Sequence, residues 1–151
     1  VGRLDEDSEG LLLVSDQPWV IQALTTPGRV EKVYWAQVER IPSSLAVQAW
    51  REGVRLKDGL TAPARAELLA DPGLPERVPP IRHRVRVPTA WLELGLKEGK
   101  NRQVRRMTAA LGHPTLRLLR VAVGELLLGG LQAGESRPAR GAELHWLKGL
   151  R

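Results

Sequence analysis

Four of the five residues from Asp5 to Glu9 are acids (Asp5, Glu6, Asp7, Glu9), followed at once by Gly10 and preceded by Arg3. A carboxylate held in a tight turn beside a cation stays ionised, and can then act as a nucleophile or stabilise positive charge. The same residues admit a calcium loop, since Asp5, Asp7, Glu9 and Gly10 fit positions 1, 3, 5 and 6 of the EF-hand pattern. Against it, position 12 would be Asp16, shorter than the usual bidentate glutamate, and no entering helix precedes Asp5. A charged surface turn without chemistry is the third reading.

A second concentration of charge opens a helix expected over Asn101–Leu111, closed by Gly112 and Pro114. Arg102, Arg105 and Arg106 follow i, i+3, i+4 spacing and are expected to share one face. Val104, Met107 and Leu111 take the other face, toward a core. Cations in a first helical turn oppose the helix dipole, which favours negative charge there. An anion beside them, either a phosphate or a buried carboxylate, resolves that conflict; a solvated basic face is the alternative. From Lys97 to Arg120 there are seven basic residues against the single acid Glu98, a surplus equal to the net charge of +6 for the whole chain. Arg77–Arg86 adds four arginines and no acid. A basic chain with one acidic corner suits a polyanionic partner.

Composition narrows the chemistry. The 151 residues hold no cysteine, which excludes disulfides, thiol catalysis and cysteine-bound zinc and suits a reducing cytoplasm. His83, His113 and His145 show no metal-ligand spacing. With 42% hydrophobic and 26% charged residues the chain reads as globular, with neither a signal-peptide pattern nor an apolar run of membrane-spanning length. Tyr34 is the only tyrosine. It sits next to Trp35 on an expected strand, where neighbours face opposite ways, so one of the two is free to line a cleft.

The elements that must position these residues alternate along the chain. Strands are expected over Glu9–Ser15, Val30–Val38, Ala90–Leu96, Thr115–Val123 and Glu125–Leu128. Val54–Leu56 and Leu60–Leu69 flank the turn Lys57-Asp58-Gly59. Asp16 is expected to cap a helix through Leu24, and Pro42-Ser43-Ser44 to open another through Trp50, with Gly53 as its C-cap. Asp71–Pro88 reads as an irregular basic loop and Ala142–Leu150 as a last short helix. Interleaved helices and hairpins predict an α+β fold, a mixed and mostly antiparallel sheet with helices packed on it.

At three places, in order and at matching spacing, the sequence resembles the RsuA-type ribosomal RNA pseudouridine synthases. Gly2-Arg3-Leu4-Asp5 followed by Asp7-Ser8-Glu9-Gly10-Leu11-Leu12-Leu13 is similar to their catalytic-aspartate motif, and Lys32-Val33-Tyr34 to their Lys-x-Tyr motif. Glu98 to Met107, continued by Gly112-His113-Pro114 and Leu116–Arg120, is similar to their third motif. Pro80-Ile81-Arg82, Pro88-Thr89 and Trp91 resemble one subgroup of that family, the large-subunit pseudouridine synthases of type E, which act on 23S ribosomal RNA. The likeness runs from Val1 to about Arg137. It departs at Gln17-Pro18, where relatives often carry a glycine. The family's first strands and the S4 domain of many relatives have no counterpart, so 1–151 is expected to be one catalytic domain lacking an N-terminal piece.

The resemblance implies a catalytic fold with a central RNA-binding cleft, and isomerisation of one uridine in 23S ribosomal RNA without cofactor or metal. The target nucleotide must leave its stack to react. Asp5 matches the catalytic aspartate, Arg105 the basic residue that keeps it ionised, and Tyr34 the tyrosine that stacks on the uracil and takes part in proton transfer. Arg3, Lys32, Lys100, Asn101, Arg102, Arg106, Arg117 and Arg120 are then expected to bind RNA, largely through phosphates. A cytoplasmic monomer acting on ribosomal RNA away from any membrane is expected. A non-catalytic, ribosome-associated RNA-binding protein is the alternative.

Overall fold

The computed structural model describes residues 2–151. In chain order the elements are β1 (Glu9–Gly10), α1 (Pro18–Thr25), β2 (Lys32–Glu39), α2 (Ser44–Glu52), β3 (Arg55–Leu56) and β4 (Gly59–Leu60). There follow β5 (Arg65–Leu69), β6 (Thr89–Leu96), α3 (Gln103–Ala110), β7 (Thr115–Val123), β8 (Leu126–Leu127) and α4 (Ala142–Gly149). The α+β expectation holds: the main sheet runs β1-β7-β2-β6-β5, with β8 on β7, and β3-β4 form a separate hairpin. Among the described residues only the β1–β7 pairing is parallel.

The central strand β2 is paired along its length by β6 and β7, so both its edges are committed. One face carries Ala36 and Val38 beside Leu92, Leu94 and Leu118, and packs against Val47 and Trp50 of α2 and Val104 and Met107 of α3. Trp50 is fully buried, and its indole N–H donates to the Met107 carbonyl at 2.8 Å, tying the two helices together. Ser43 caps α2 by accepting the Ala46 N–H, as expected of a serine at that position. A second core joins α1, α4 and the end of β7 through Val20, Leu24, Val123 and Leu147. No helix among the described residues is long and apolar enough to cross a membrane.

Four local expectations are corrected. Of Glu9–Ser15 only Glu9–Gly10 pairs as strand, and Leu12 and Val14 are exposed. The edge of β7 that a longer strand needs is already taken by β8, which pairs with Ala122 and Val123, while the Leu128 N–H bonds the Val121 carbonyl. Asp16 does not cap α1: Gln17 is the N-cap, and Pro18 in the first turn needs no N–H partner. Leu60–Leu69 divides into β4 and β5 around Pro63, and only β5 joins the main sheet. Finally, α3 starts at Gln103, not Asn101.

The indole of Trp50 is the test of this core. Trp50→Ala is expected to cost about 3–5 kcal/mol through the cavity it leaves. Trp50→Phe keeps much of the volume and is expected to cost about 1–3 kcal/mol through the lost donor to Met107. Denaturant midpoints at unchanged m-value measure both, and equal costs would deny the hydrogen bond its role.

Candidate active site

The acidic segment folds as a turn closed by the Ser8 N–H on the Asp5 carbonyl at 3.0 Å. Gly10 follows with φ 105°, and a Cβ there would lie 2.2 Å from the Arg120 carbonyl oxygen. Only glycine lets this segment lie so close to β7. Arginines hold the turn from several elements. Arg102 grips both carboxylate oxygens of Asp7 at 3.1 and 3.0 Å and reaches Asp5 Oδ2 at 3.5 Å. Arg105 donates through Nη2 to the Asp7 carbonyl at 3.2 Å and to Ser8 Oγ at 3.3 Å. Arg77, from the irregular 71–88 segment, donates to that same carbonyl at 3.3 Å. Arg117 binds both oxygens of Glu9 at 2.8 and 2.9 Å and the Pro75 carbonyl at 2.9 Å.

Asp5 faces a cleft of about 710 Å³ that also takes in Lys32, Tyr34 and Arg120. Strand parity puts them there. Lys32 and Tyr34 are two apart on β2, and Tyr34 pairs across to Arg120 on β7, so all three share the face that α2 and α3 cover further along. Leu96, Val104 and Leu118 supply apolar wall, and Arg3, Lys100, Asn101 and Arg102 stand around the opening. Trp35 points the other way and donates its indole N–H to Glu93 at 3.0 Å. The choice left open between Tyr34 and Trp35 thus falls to Tyr34.

The charges perturb one another. The hydrogen bond from Arg102 holds the Asp7 carboxyl below its ordinary 3.8, helped by the charges of Arg105 and Arg102 and opposed by burial. Arg102 is raised by the same bond. Burial pushes Arg105 down, assisted by Arg102 and Arg77 and opposed by Asp7 and Asp5. Burial, then the neighbouring Arg120, pushes the Lys32 ammonium below its ordinary 10.5. Among the described residues two buried side-chain donors have no hydrogen-bond partner, Arg105 Nε and Arg120 Nη2.

One cleft therefore unites Asp5, Tyr34, Arg3, Lys32, Lys100, Asn101, Arg102 and Arg120. The three arginines of the third motif do not share one helix face. Arg102 is the N-cap, in the left-handed region at φ 50°, and turns to the acidic segment, whereas Arg106 turns away to Asp58 at 2.8 and 3.2 Å. Arg105 lies behind the turn, so the ion pair of Asp5 is with Arg102 rather than with Arg105. Arg117 is three residues from Arg120 on β7 and faces the opposite side of the sheet, where Glu9 takes it. Asp7 and Glu9, two of the calcium-loop positions, are occupied by Arg102 and Arg117, so the turn is not built as a cation loop. Sequence reasoning gave no role to Arg77 or Gln103. Gln103 accepts the Lys100 N–H at 3.0 Å and donates to Glu98 at 2.7 Å, fixing the entry to α3. A glutamine three residues after Lys100 is the capping-box spacing that could have signalled it.

The chain is similar to pseudouridine synthases in sequence and in fold. The profile of the RNA pseudouridylate synthase family matches residues 1–110. A ribosomal large subunit pseudouridine synthase E of Vibrio vulnificus (strain CMCP6) is 50% identical over 135 residues, 89% of this chain and 58% of the relative. The protein of the same name from Xanthomonas axonopodis pv. citri (strain 306) is 54% identical over 132 residues, 86% of this chain and 70% of the relative. A crystal structure of a pseudouridylate synthase superposes with TM-score 0.80 at 31% identity, covering 97% of this chain and 57% of that one. The chain thus spans less than two thirds of the length of the Vibrio relative.

The Asp7–Arg102 pair is open to direct test. By carboxyl NMR, Asp7 is expected to titrate below 3.8 and to move back toward it in Arg102→Gln. Because the folded value is depressed, the pair's contribution is complete above the unfolded value and is lost as pH falls through the folded one. A native midpoint at or above 3.8 would contradict the pairing.

Proposed function

The chain belongs to the RNA pseudouridylate synthase family, and on that premise we propose that it converts one uridine of 23S ribosomal RNA to pseudouridine, with Asp5 as the catalytic carboxylate. The observation that carries this is the sharing of one cleft by Asp5 and Tyr34, with arginines fixing the turn from behind. The Asp5 side chain keeps 36% exposure, so its oxygens are available to a nucleotide, while Asp7 and Glu9 are taken by arginines.

The reaction breaks the C1′–N1 bond, turns the base, and joins C1′ to C5. A proton leaves C5 and one is gained at N1, so the product has the atoms of uridine. Asp5 needs its negative charge to bond C1′ or to stabilise the positive sugar. Arg102 pairs with that carboxylate at 3.5 Å, and Arg105 holds the turn that carries it by donating to the Asp7 carbonyl. Tyr34 offers a stacking face, worth about 1–3 kcal/mol per base. The cleft is large enough to receive one extruded nucleotide. Arg3, Lys100, Asn101 and Arg102 around its opening are suited to phosphates on either side of the target. Arg106 and Arg117 serve mainly to fix Asp58 and Glu9. Such an enzyme works as a cytoplasmic monomer, without cofactor, on large-subunit RNA; the names of the Vibrio and Xanthomonas relatives support that substrate.

The experiment is to incubate unmodified ribosomal RNA with wild-type protein and Asp5→Asn, and to map pseudouridine by chemical adducts. One wild-type-dependent site in 23S RNA is expected. Asp5→Asn is expected to lose about 10³-fold or more in rate, with the salt slope of RNA binding unchanged. A protein that only binds RNA would leave no site with either form, and an Asp5→Asn protein active at the wild-type rate would remove Asp5 from the reaction.

A further inference from the structure

The innermost cations of the cleft, Lys32 and Arg120, lack the carboxylate partner that the buried Arg117 has on the other side of the sheet. Arg117 and Arg120 lie on the same strand and are both buried, at 9% and 2% exposure. Arg117 spends its guanidinium on Glu9 and a carbonyl. Arg120 donates through Nε to the Leu11 carbonyl at 3.0 Å, and its buried Nη2 has no partner. Lys32, at 8% exposure, lines the same cleft and stands two residues before Tyr34, which pairs with Arg120 across the strands. Among the described residues neither cation has a carboxylate within ion-pair distance. Two adjacent buried cations without an acid are costly unless an anion joins them.

Phosphate is the poorer candidate for that anion. Arg3, Asn101 and Arg102 are exposed at the opening and Lys32 and Arg120 are buried within, so an RNA bound as the isomerase reading requires would keep its backbone at the opening and send only an extruded base to the inner wall. That wall also carries Tyr34, Leu96, Val104 and Leu118, which fit the flat apolar faces of a base. A base is neutral on arrival and becomes negative when the C1′–N1 bond breaks and the electron pair leaves with N1. Donors fixed in advance for that moment lower the barrier selectively.

We propose that Lys32 and Arg120 form an anion hole for the detached uracil, holding the charge shared by N1, O2 and O4 while the base turns, until C5 bonds to C1′, C5 releases its proton and N1 gains one. The proposal rests on the isomerase reading above. It adds a role for Lys32 and Arg120 in the chemical step, distinct from phosphate binding.

The test uses the whole chain and two readouts. In calorimetry at neutral pH the probes are uracil, 5-nitrouracil, whose nitro group ionises the ring, and inorganic phosphate. Wild type is expected to bind 5-nitrouracil about tenfold or more tighter than uracil, to hold it against phosphate, and to lose the preference in Lys32→Met. Lys32→Met is expected to melt higher than wild type, since it removes an unpaired buried charge, and this separates lost function from lost folding. In single-turnover reactions on RNA, read as breakage of the C1′–N1 bond because a 5-fluoro base has no C5 proton to release, Lys32→Met is expected to slow uridine about 10²-fold and 5-fluorouridine at the same site clearly less, because fluorine already stabilises the departing anion. Equal slowing of the two bases, or displacement of 5-nitrouracil by phosphate, overturns the proposal in favour of a structural or phosphate role. An active wild type with no preference for 5-nitrouracil overturns the anion hole alone. A preference that Lys32→Met abolishes, in a wild type that modifies no RNA, supports the anion site and overturns the isomerase reading.

Discussion

Everything at this site depends on arginines holding together a turn that would otherwise repel itself. Asp5, Glu6, Asp7 and Glu9 bring four carboxyls into five residues, and short β1 contributes only two residues of pairing to anchor them. The restoring contacts come from separate parts of the chain: Arg102 and Arg105 at the start of α3, Arg77 from the 71–88 segment, and Arg117 from β7. The bidentate pairs fix direction as well as distance, because a planar guanidinium meets two carboxylate oxygens in only one orientation. Each pair is partly exposed and contributes little singly. Their convergence is what leaves Asp5 with one long contact and open oxygens while Asp7 and Glu9 are consumed.

Strand parity does the rest. Lys32, Tyr34 and Arg120 reach the cleft because they share a face of β2 and β7, while Trp35 and Arg117 are sent to the other side. A shift of one residue in this register would exchange the two faces, placing the Trp35 indole where Tyr34 stands and an apolar Leu119 or Val121 where Arg120 stands. The full-length pairing of β2 by β6 and β7, and the core that Trp50 closes above it, guard against that slip.

This division explains what was legible in the sequence. Long elements with clear periodicity, β2, α2, β6 and β7, could be read from their own residues because local pattern and tertiary packing agree there. The gathering of Asp5, Tyr34 and Lys32 was legible only through the resemblance of the three motifs to a known family, not from periodicity or spacing. The run after Glu9 could not be read, because its apolar residues look like strand and only the competing claim of β8 on β7 prevents it. Helical spacing was also misleading at Arg102, where one left-handed residue ends the period and redirects the side chain toward Asp7. Arg77 lies 70 residues from its carbonyl partner in a segment without regular structure, and no local pattern encodes such a contact.

The defects of the structure then carry information that its satisfied contacts do not. Buried polar atoms are almost always paired. Among the described residues the two buried side-chain polar atoms without a partner belong to Arg105, behind the acidic turn, and to Arg120, on the cleft wall. Elsewhere the chain spends hydrogen bonds freely, even on exposed pairs such as Arg137 with Glu143. Of the two, Arg120 lines the cleft and Arg105 does not, so it is at Arg120 that the missing acceptor leaves room for a partner from outside. At Arg120 that partner must be an acceptor, and one able to reach past the exposed cations of the opening, which describes an extruded base better than the backbone that delivers it.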